Sequence, residues 1–507
     1  MKKGLSFKTD ATKDTSAASA AKRGPPSLAC SAALAAAIAL SGCASIDSLR
    51  TSTPLADPAP VLQAPAQWYA PMQAAPHGGQ TQQLTQWWAS LGDTALVDLL
   101  AAAQQNGATV AQAASRITQA RAALTLAGGA ARPTLSAQAG ASRAATSPAQ
   151  PAASVLQGGL QAAWELDVFG AAAASTQAAS IRLDAANAQW HDARVSVAAE
   201  LAAQYFSLRL CQAQTELLAN DAASRAETAR LTGLSAQAGF TAPAVSALAQ
   251  ASKADAANSL SAKKAECELT IKALVALTAM PEPDLKKKLG NASVKWSDPA
   301  IGLVVAGAPS AMPAHVLMQR PDLAAAQRDV AAAAADLRAA DARRYPVVSL
   351  SGNIGAMRID AGGQSSSGAT WSLGPIAVSL PILDNGRTQA NIEVAKASYQ
   401  ASVAVLQAKA RNAVREVEEA LVQLNNTAAR APDVAAATAG YGASLVAAQA
   451  RYKAGVGSLV ELEDARRTAL FAKTTELQLL RERIVAWISL YRAVGGGWSP
   501  ALAAAGS

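Results

Sequence analysis

The chain has 507 residues, enough for two to four ordinary domains. Alanine dominates, only 4% of residues are aromatic and 16% are charged, a composition that favours helices packed closely through small side chains. About half of the net charge of +8 sits in residues 1–42, and no basic run carries interleaved aromatics, which excludes nucleic acid as the reading.

Residues 1–42 read as a leader. Lys2, Lys3, Lys8, Lys13, Lys22 and Arg23 form its basic part, and the apolar run "LACSAALAAAIAL" is too short to span a bilayer as a helix. It ends in "LSGC", a pattern that resembles a bacterial lipobox and predicts Cys43 as the lipidated first residue of the mature protein. The alternative is a plain signal peptide with an incidental cysteine. Residues 43–83, rich in Pro, Ala and Gln, are expected to be an extended lead-in. Beyond it no apolar stretch reaches 18 residues, so any membrane-spanning part must be a β-barrel.

The remainder reads as two copies of one unit, 84–297 and 298–500. Val110, Ala113, Ile117 and Pro133 align with Leu323, Ala326, Val330 and Pro346, and Gly239 aligns with Gly455. In each copy a helix of about 35 residues is expected to stop before Pro133 or Pro346. Two alternating strand-like runs of about 9–11 residues follow, within 134–169 and 347–384. That length and pattern suit tilted transmembrane strands, although the strand signal alone leaves a soluble hairpin open. Gly170 and Gly386 are predicted to mark the change from strand to helix, because glycine permits the backbone angles of an abrupt turn. A helix of about 100 Å then runs to Gly239 in the first copy. In the second, Ile392, Ala395, Tyr399, Val403, Leu406, Ala410, Val414, Val417, Leu421 and Leu424 repeat at steps of three and four, a coiled-coil pattern. Tips at about 239–243 and 455–458 turn the chain into returning helices of about 38 residues. Cys211 and Cys267 lie equidistant from Gly239 on apolar stripes of the two helices, which predicts a disulfide; two buried free thiols are the alternative.

Chemistry-bearing motifs are absent. His77, His191 and His315 have no ligand spacing, and there is no phosphate loop, nucleophile elbow or Met cluster. No catalytic residue, metal or cofactor is expected.

"WWASLGDTALVDLL", "WELDVFG", "QRPDLAAAQ", "LPILDNGR" and "RYKAGVGSLVELEDAR", together with "LSGC", resemble the TolC- and OprM-like outer-membrane factor family, in its NodT-type lipoprotein branch. The resemblance covers essentially all of the mature chain. It implies a mainly α fold with a small β part: a homotrimer in which four strands per chain close a 12-stranded barrel continued by a periplasmic α-barrel. It also implies an efflux exit duct, lipid-anchored and inserted in the outer membrane. Its partners would be a periplasmic membrane-fusion adaptor and an inner-membrane RND-type pump. By the same resemblance Gly239, Phe240, Gly455, Val456, Gly457 and Ser458 form the adaptor-contact tips. Val460 would form an apolar constriction, with Asp464 a carboxylate ring held by Arg467. The first tip lacks an acid equivalent to Asp464, so the two tips are expected to differ. Two rival readings stay open: a type I protein-secretion duct of the same fold, and a structural coiled-coil lipoprotein without a pore.

Overall fold

The computed structural model describes residues 69, 87–145, 151–290 and 319–498. Cys43, the leader, the lead-in apart from Tyr69, and the repeat boundaries at 84, 297 and 500 lie outside the described residues.

The first copy opens with α1 (Trp87–Ser90), α2 (Thr94–Asn106) and α3 (Ala108–Ala130). The expected single helix of about 35 residues is therefore two. Gly107 is the reason: its extended backbone ends α2 and starts α3. Asp93 begins α2, its carboxylate accepting from the amides of Ala95 and Leu96. Strands β1 (Thr134–Ala144) and β2 (Ala153–Leu166) follow. The chain then enters α4 (Ala171–Gln237), returns through α5 (Pro243–Thr278) and closes the copy with α6 (Glu282–Gly290).

The second copy repeats the order with α7 (Pro321–Ala342), β3 (Val347–Ala361), β4 (Gln364–Ser379), α8 (Arg387–Lys453) and α9 (Leu459–Ala493). Helix α7 has 22 residues, again shorter than expected, with Pro321 in its first turn. The strands have 11, 14, 15 and 16 residues, so three exceed the expected length. Helices α4 and α8 each have 67 residues, about 100 Å of α-helix.

Helix α4 is the common partner: α3, α5, α7 and α9 all pack on it, and α7 bridges it to α8. The principal core gathers Leu96 and Leu99 of α2, Tyr205 and Leu208 of α4, Leu274 of α5, Leu285 of α6, Val417 and Leu421 of α8, and Trp487 and Tyr491 of α9. Cys211 and Cys267 lie in this core and form a disulfide, their Cα atoms 5.6 Å apart. All ten apolar positions of the repeating stripe on α8 are buried or half-buried, as a helix-packing seam requires. A buried polar set tightens the core. Tyr205 donates to Asp93, and Arg209 donates to the Tyr205 hydroxyl at 2.9–3.0 Å and to the Leu289 carbonyl at 3.1 Å. Burial, then the bond to Asp93, pushes the Tyr205 phenol far above its ordinary value.

All four strands form one antiparallel sheet in the order β1-β2-β3-β4. Its central pairing, β2 with β3, joins the two copies. Gly159 and Gly355 face each other at that seam. A Cβ on Gly355 would meet the Gly158 carbonyl oxygen at 2.5 Å, so only glycine fits so close a backbone approach.

Candidate functional site

Alternation and register give the sheet two unlike faces. Aligned across the four strands, Gln138, Gly159, Gly355 and Thr370 form one row and Ser136, Gln161, Asn353 and Ser372 another of the same face. The alternate rows include Ala137, Leu160, Ile354 and Trp371, with Leu135, Leu373, Ile376 and Val378 nearby. Ile354 is 63% and Trp371 78% exposed in the single chain. One face thus suits water and the other hydrocarbon. Trp164, on the apolar face, donates its indole N–H to the Ala131 carbonyl at 3.1 Å, where α3 gives way to the sheet.

Both sheet-to-helix junctions are built alike. Gly170 and Gly386 adopt left-handed backbone, with φ of 79° and 82°, immediately before α4 and α8. One aspartate that the motif reading does not single out completes each turn. Asp167 accepts from the amides of Ala172 and Ala173 at 3.0 and 2.7 Å; Asp384 accepts from those of Gly386 and Thr388 at 3.0 and 2.8 Å. A carboxylate there satisfies free N–H groups and the positive end of the helix dipole. The bonds from Thr388 hold the Asp384 carboxyl below its ordinary range. An Asp two or three residues before the glycine was the available signal.

At the opposite ends of the long helices both tips use one device. The amide of Phe240 donates to the Ser235 carbonyl at 2.9 Å, and that of Val456 to the Arg451 carbonyl at 3.0 Å, with Gly239 and Gly455 left-handed between. This is the glycine-based Schellman stop. It leaves Phe240 86% and Val456 69% exposed. Gly457 lies against the backbone of Arg451 and Tyr452, and the Ser458 hydroxyl accepts from the Glu461 amide at 3.1 Å to start α9.

Val460, Asp464 and Arg467 occupy the exposed side of α9; Arg467 pairs with Asp464 in the same chain. The opposite side of those turns carries a buried charge network that motif reading missed. Leu459 and Leu462 are buried against Ala229 and Ala249. One turn on, Arg466 donates to Glu463 at 2.7 Å, to Ser224 at 2.8 Å and to Thr228 at 3.0 Å. Glu463 also meets Arg225 at 3.0 Å and Ser252 at 2.6 Å, and Arg225 donates to Asp221 at 2.8 Å. Burial pushes the Asp221 carboxyl up against the pull of Arg225. A further bond of 3.2 Å joins the hydroxyls of Thr232 and Tyr452. The network therefore ties the second tip, on α8 and α9, to the first, on α4 and α5. Among the described residues no group of His, Cys, Asp or Glu could hold a metal, and no helix is long and apolar enough to cross a membrane.

A two-faced sheet continued by two paired helical hairpins defines a protein whose small β part suits a bilayer and whose long helices extend away from it. Comparison with known proteins specifies the kind. The chain matches the Outer membrane efflux protein family over residues 99–279 and 312–496, and it belongs to that family. It is 30% identical over 460 residues to the solvent efflux pump outer membrane protein SrpC of Pseudomonas putida, covering 87% of this chain and 95% of that one. It is 29% identical over 420 residues to nodulation protein T of Rhizobium leguminosarum bv. viciae, covering 82% and 84%. Among solved structures, the outer-membrane channel OprN is similar with a TM-score of 0.73 and 26% identity, over 87% of this chain and 100% of that one.

Proposed function

We propose that the protein is the outer-membrane exit duct of a tripartite efflux system. It conducts drugs or other small solutes passively from an inner-membrane RND-type pump, through a periplasmic adaptor, to the exterior. The two-faced sheet carries this reading. Its outer strands, β1 and β4, each pair on one side only, and open strand edges are not viable in lipid. Three chains resolve both edges by closing twelve strands into a barrel with the polar face inward. The long helices then continue the conduit into the periplasm. Val460, Asp464 and Arg467 form the gate there, and the Gly239–Phe240 and Gly455–Ser458 turns meet the adaptor. The relatives named for efflux and for channels support the same reading. Lipid on Cys43 anchors each chain beside the barrel, and the intact mass of the purified protein checks that modification: an unmodified Cys43 would refute it.

Planar-bilayer recording tests the duct. The purified protein should insert and conduct. The Val460→Ala/Asp464→Ala double variant should conduct more, since it removes both the apolar constriction and the carboxylates. A protein that inserts without conducting, in either form, overturns the reading.

A further inference from the structure

Charge is distributed unequally over the sheet. On the polar face, among the described residues, Ser, Thr, Gln, Asn and Gly alternate with a few apolar side chains, and Glu165 is the one ionisable group. Strand β2 alternates Gln157, Gly159, Gln161, Ala163 and Glu165 onto that face, and register sets Glu165 opposite Ser349. Trp164, next in sequence, lies on the apolar face with its indole tied to Ala131, which fixes the phase of the strand at this end. Glu165 is exposed and has no hydrogen bond or ion pair to a described residue. It stands one residue before the end of β2, at the helix-proximal end of the sheet. The other charges of the strands, Arg143, Arg358 and Asp360, lie on the apolar face near its far end, with Arg358 and Asp360 paired.

We propose that Glu165 sets the charge preference of the barrel section of the duct, favouring cations at its inner mouth while the rest of the wall stays neutral. This rests on the duct reading above. Twelve strands about 4.8 Å apart and tilted about 40° form a barrel of radius about 12 Å. Three carboxylates at that radius, in water at about 0.1 M salt, give a cation-over-anion preference on the axis of about threefold. At about 1 M the Debye length falls to about 3 Å and the preference vanishes. Solutes without charge pass unaffected.

The experiment is reversal-potential recording in KCl gradients, on the full chain in the opened Val460→Ala/Asp464→Ala background, so that the tip carboxylates do not contribute. Glu165 in place should give a potassium-over-chloride permeability ratio of about three at ~0.1 M salt, collapsing towards one at ~1 M. Glu165→Gln should bring the ratio to about one, and Glu165→Lys should invert it, both with single-channel conductance at ~1 M salt unchanged. A channel whose permeability ratio is the same with Glu, Gln and Lys overturns the assignment alone. No channel in any of the three overturns the duct reading and the assignment with it.

Discussion

Removing Glu463 should release the second tip from the first. Its carboxylate is the shared ion-pair partner of Arg225 and Arg466, whose side chains are 11% and 6% exposed. In Glu463→Ala, Arg225 keeps Asp221, but Arg466 keeps hydrogen bonds only to the hydroxyls of Ser224 and Thr228, with the pull of Asp221 as its remaining counter-charge and no carboxylate bonded to it. Breaking one partner out of a buried ion pair costs about 3–5 kcal/mol, and the remaining bonds put this case near about 3. That corresponds to roughly a hundredfold rise in the population of chains whose α9 start has left α4. Glu463→Gln keeps the volume and the bond with Ser252 but removes the charge, so it should show a smaller effect in the same direction. Hydrogen exchange over 224–232 and 459–467 should speed up while exchange in the central core around Tyr205 stays protected. Single-channel open probability should rise in parallel. Unchanged exchange and unchanged opening in Glu463→Ala would refute the argument that this network closes the tip. Asp464→Ala, by contrast, removes a surface pair whose partners are 64% and 77% exposed, so it should leave exchange alone and alter conduction only.

The disulfide closes a separation of 56 residues, so Cys211→Ala/Cys267→Ala should lose up to about 4 kcal/mol; thiol labelling of denatured, unreduced wild type should find neither cysteine free, and two free thiols would refute the bridge. Gly355→Ala should prevent a stable barrel, because its Cβ would lie 2.5 Å from the Gly158 carbonyl oxygen and 2.9 Å from the Gly159 Cα; heat-resistant oligomer on a gel is the readout, and a normal band would refute the close approach. Burial, then the neighbouring Asp322, holds the Asp192 carboxyl above its ordinary range; burial does the same for Asp329. In the folded state these two carboxyls therefore take up protons before the unfolded state does as pH falls, and their contribution to stability rises on mild acidification; the His191 imidazole, held low by burial and then Arg194, acts in the opposite sense. Burial also acts to raise Asp322, but hydrogen bonds from Arg320 outweigh it and hold that carboxyl low. Its stabilisation, present above the unfolded carboxylate value, is lost as pH falls through the lowered one, so stability should drop again in strong acid. Melting temperature against pH in a His191→Gln variant, which removes the oppositely acting imidazole, checks both limbs; a steady fall from roughly pH 7 to 5 would refute the first.

Much of this was legible along the chain, because it rests on short-range rules. The period of apolar residues announces the long helices, Gly239 and Gly455 their ends, and alternation the strands. The offset between the copies exposes the duplication, and a four-stranded motif with two edges already demands partners. Lengths were less secure. Gly107 is one glycine in a helical pattern, and nothing local says that its backbone will be extended and split the opening helix. The tip shows the sharper limit. "VELEDARR" presents two acids and two arginines within five positions, and motif reading favoured Asp464 and Arg467. Helical phase puts Leu459, Leu462 and Arg466 on one face, yet phase cannot tell which face finds a polar partner. That was decided by Ser224, Thr228 and Arg225, which lie about 240 residues earlier and reach Glu463 and Arg466 only because α9 packs on α4. The β2–β3 seam is likewise a long-range choice. Gly159 and Gly355 are ordinary glycines until the two copies pair, and then their lack of a Cβ is what lets the strands meet. A linear pattern records what each residue prefers; burial and charge pairing depend on what arrives opposite, and only tertiary packing supplies that.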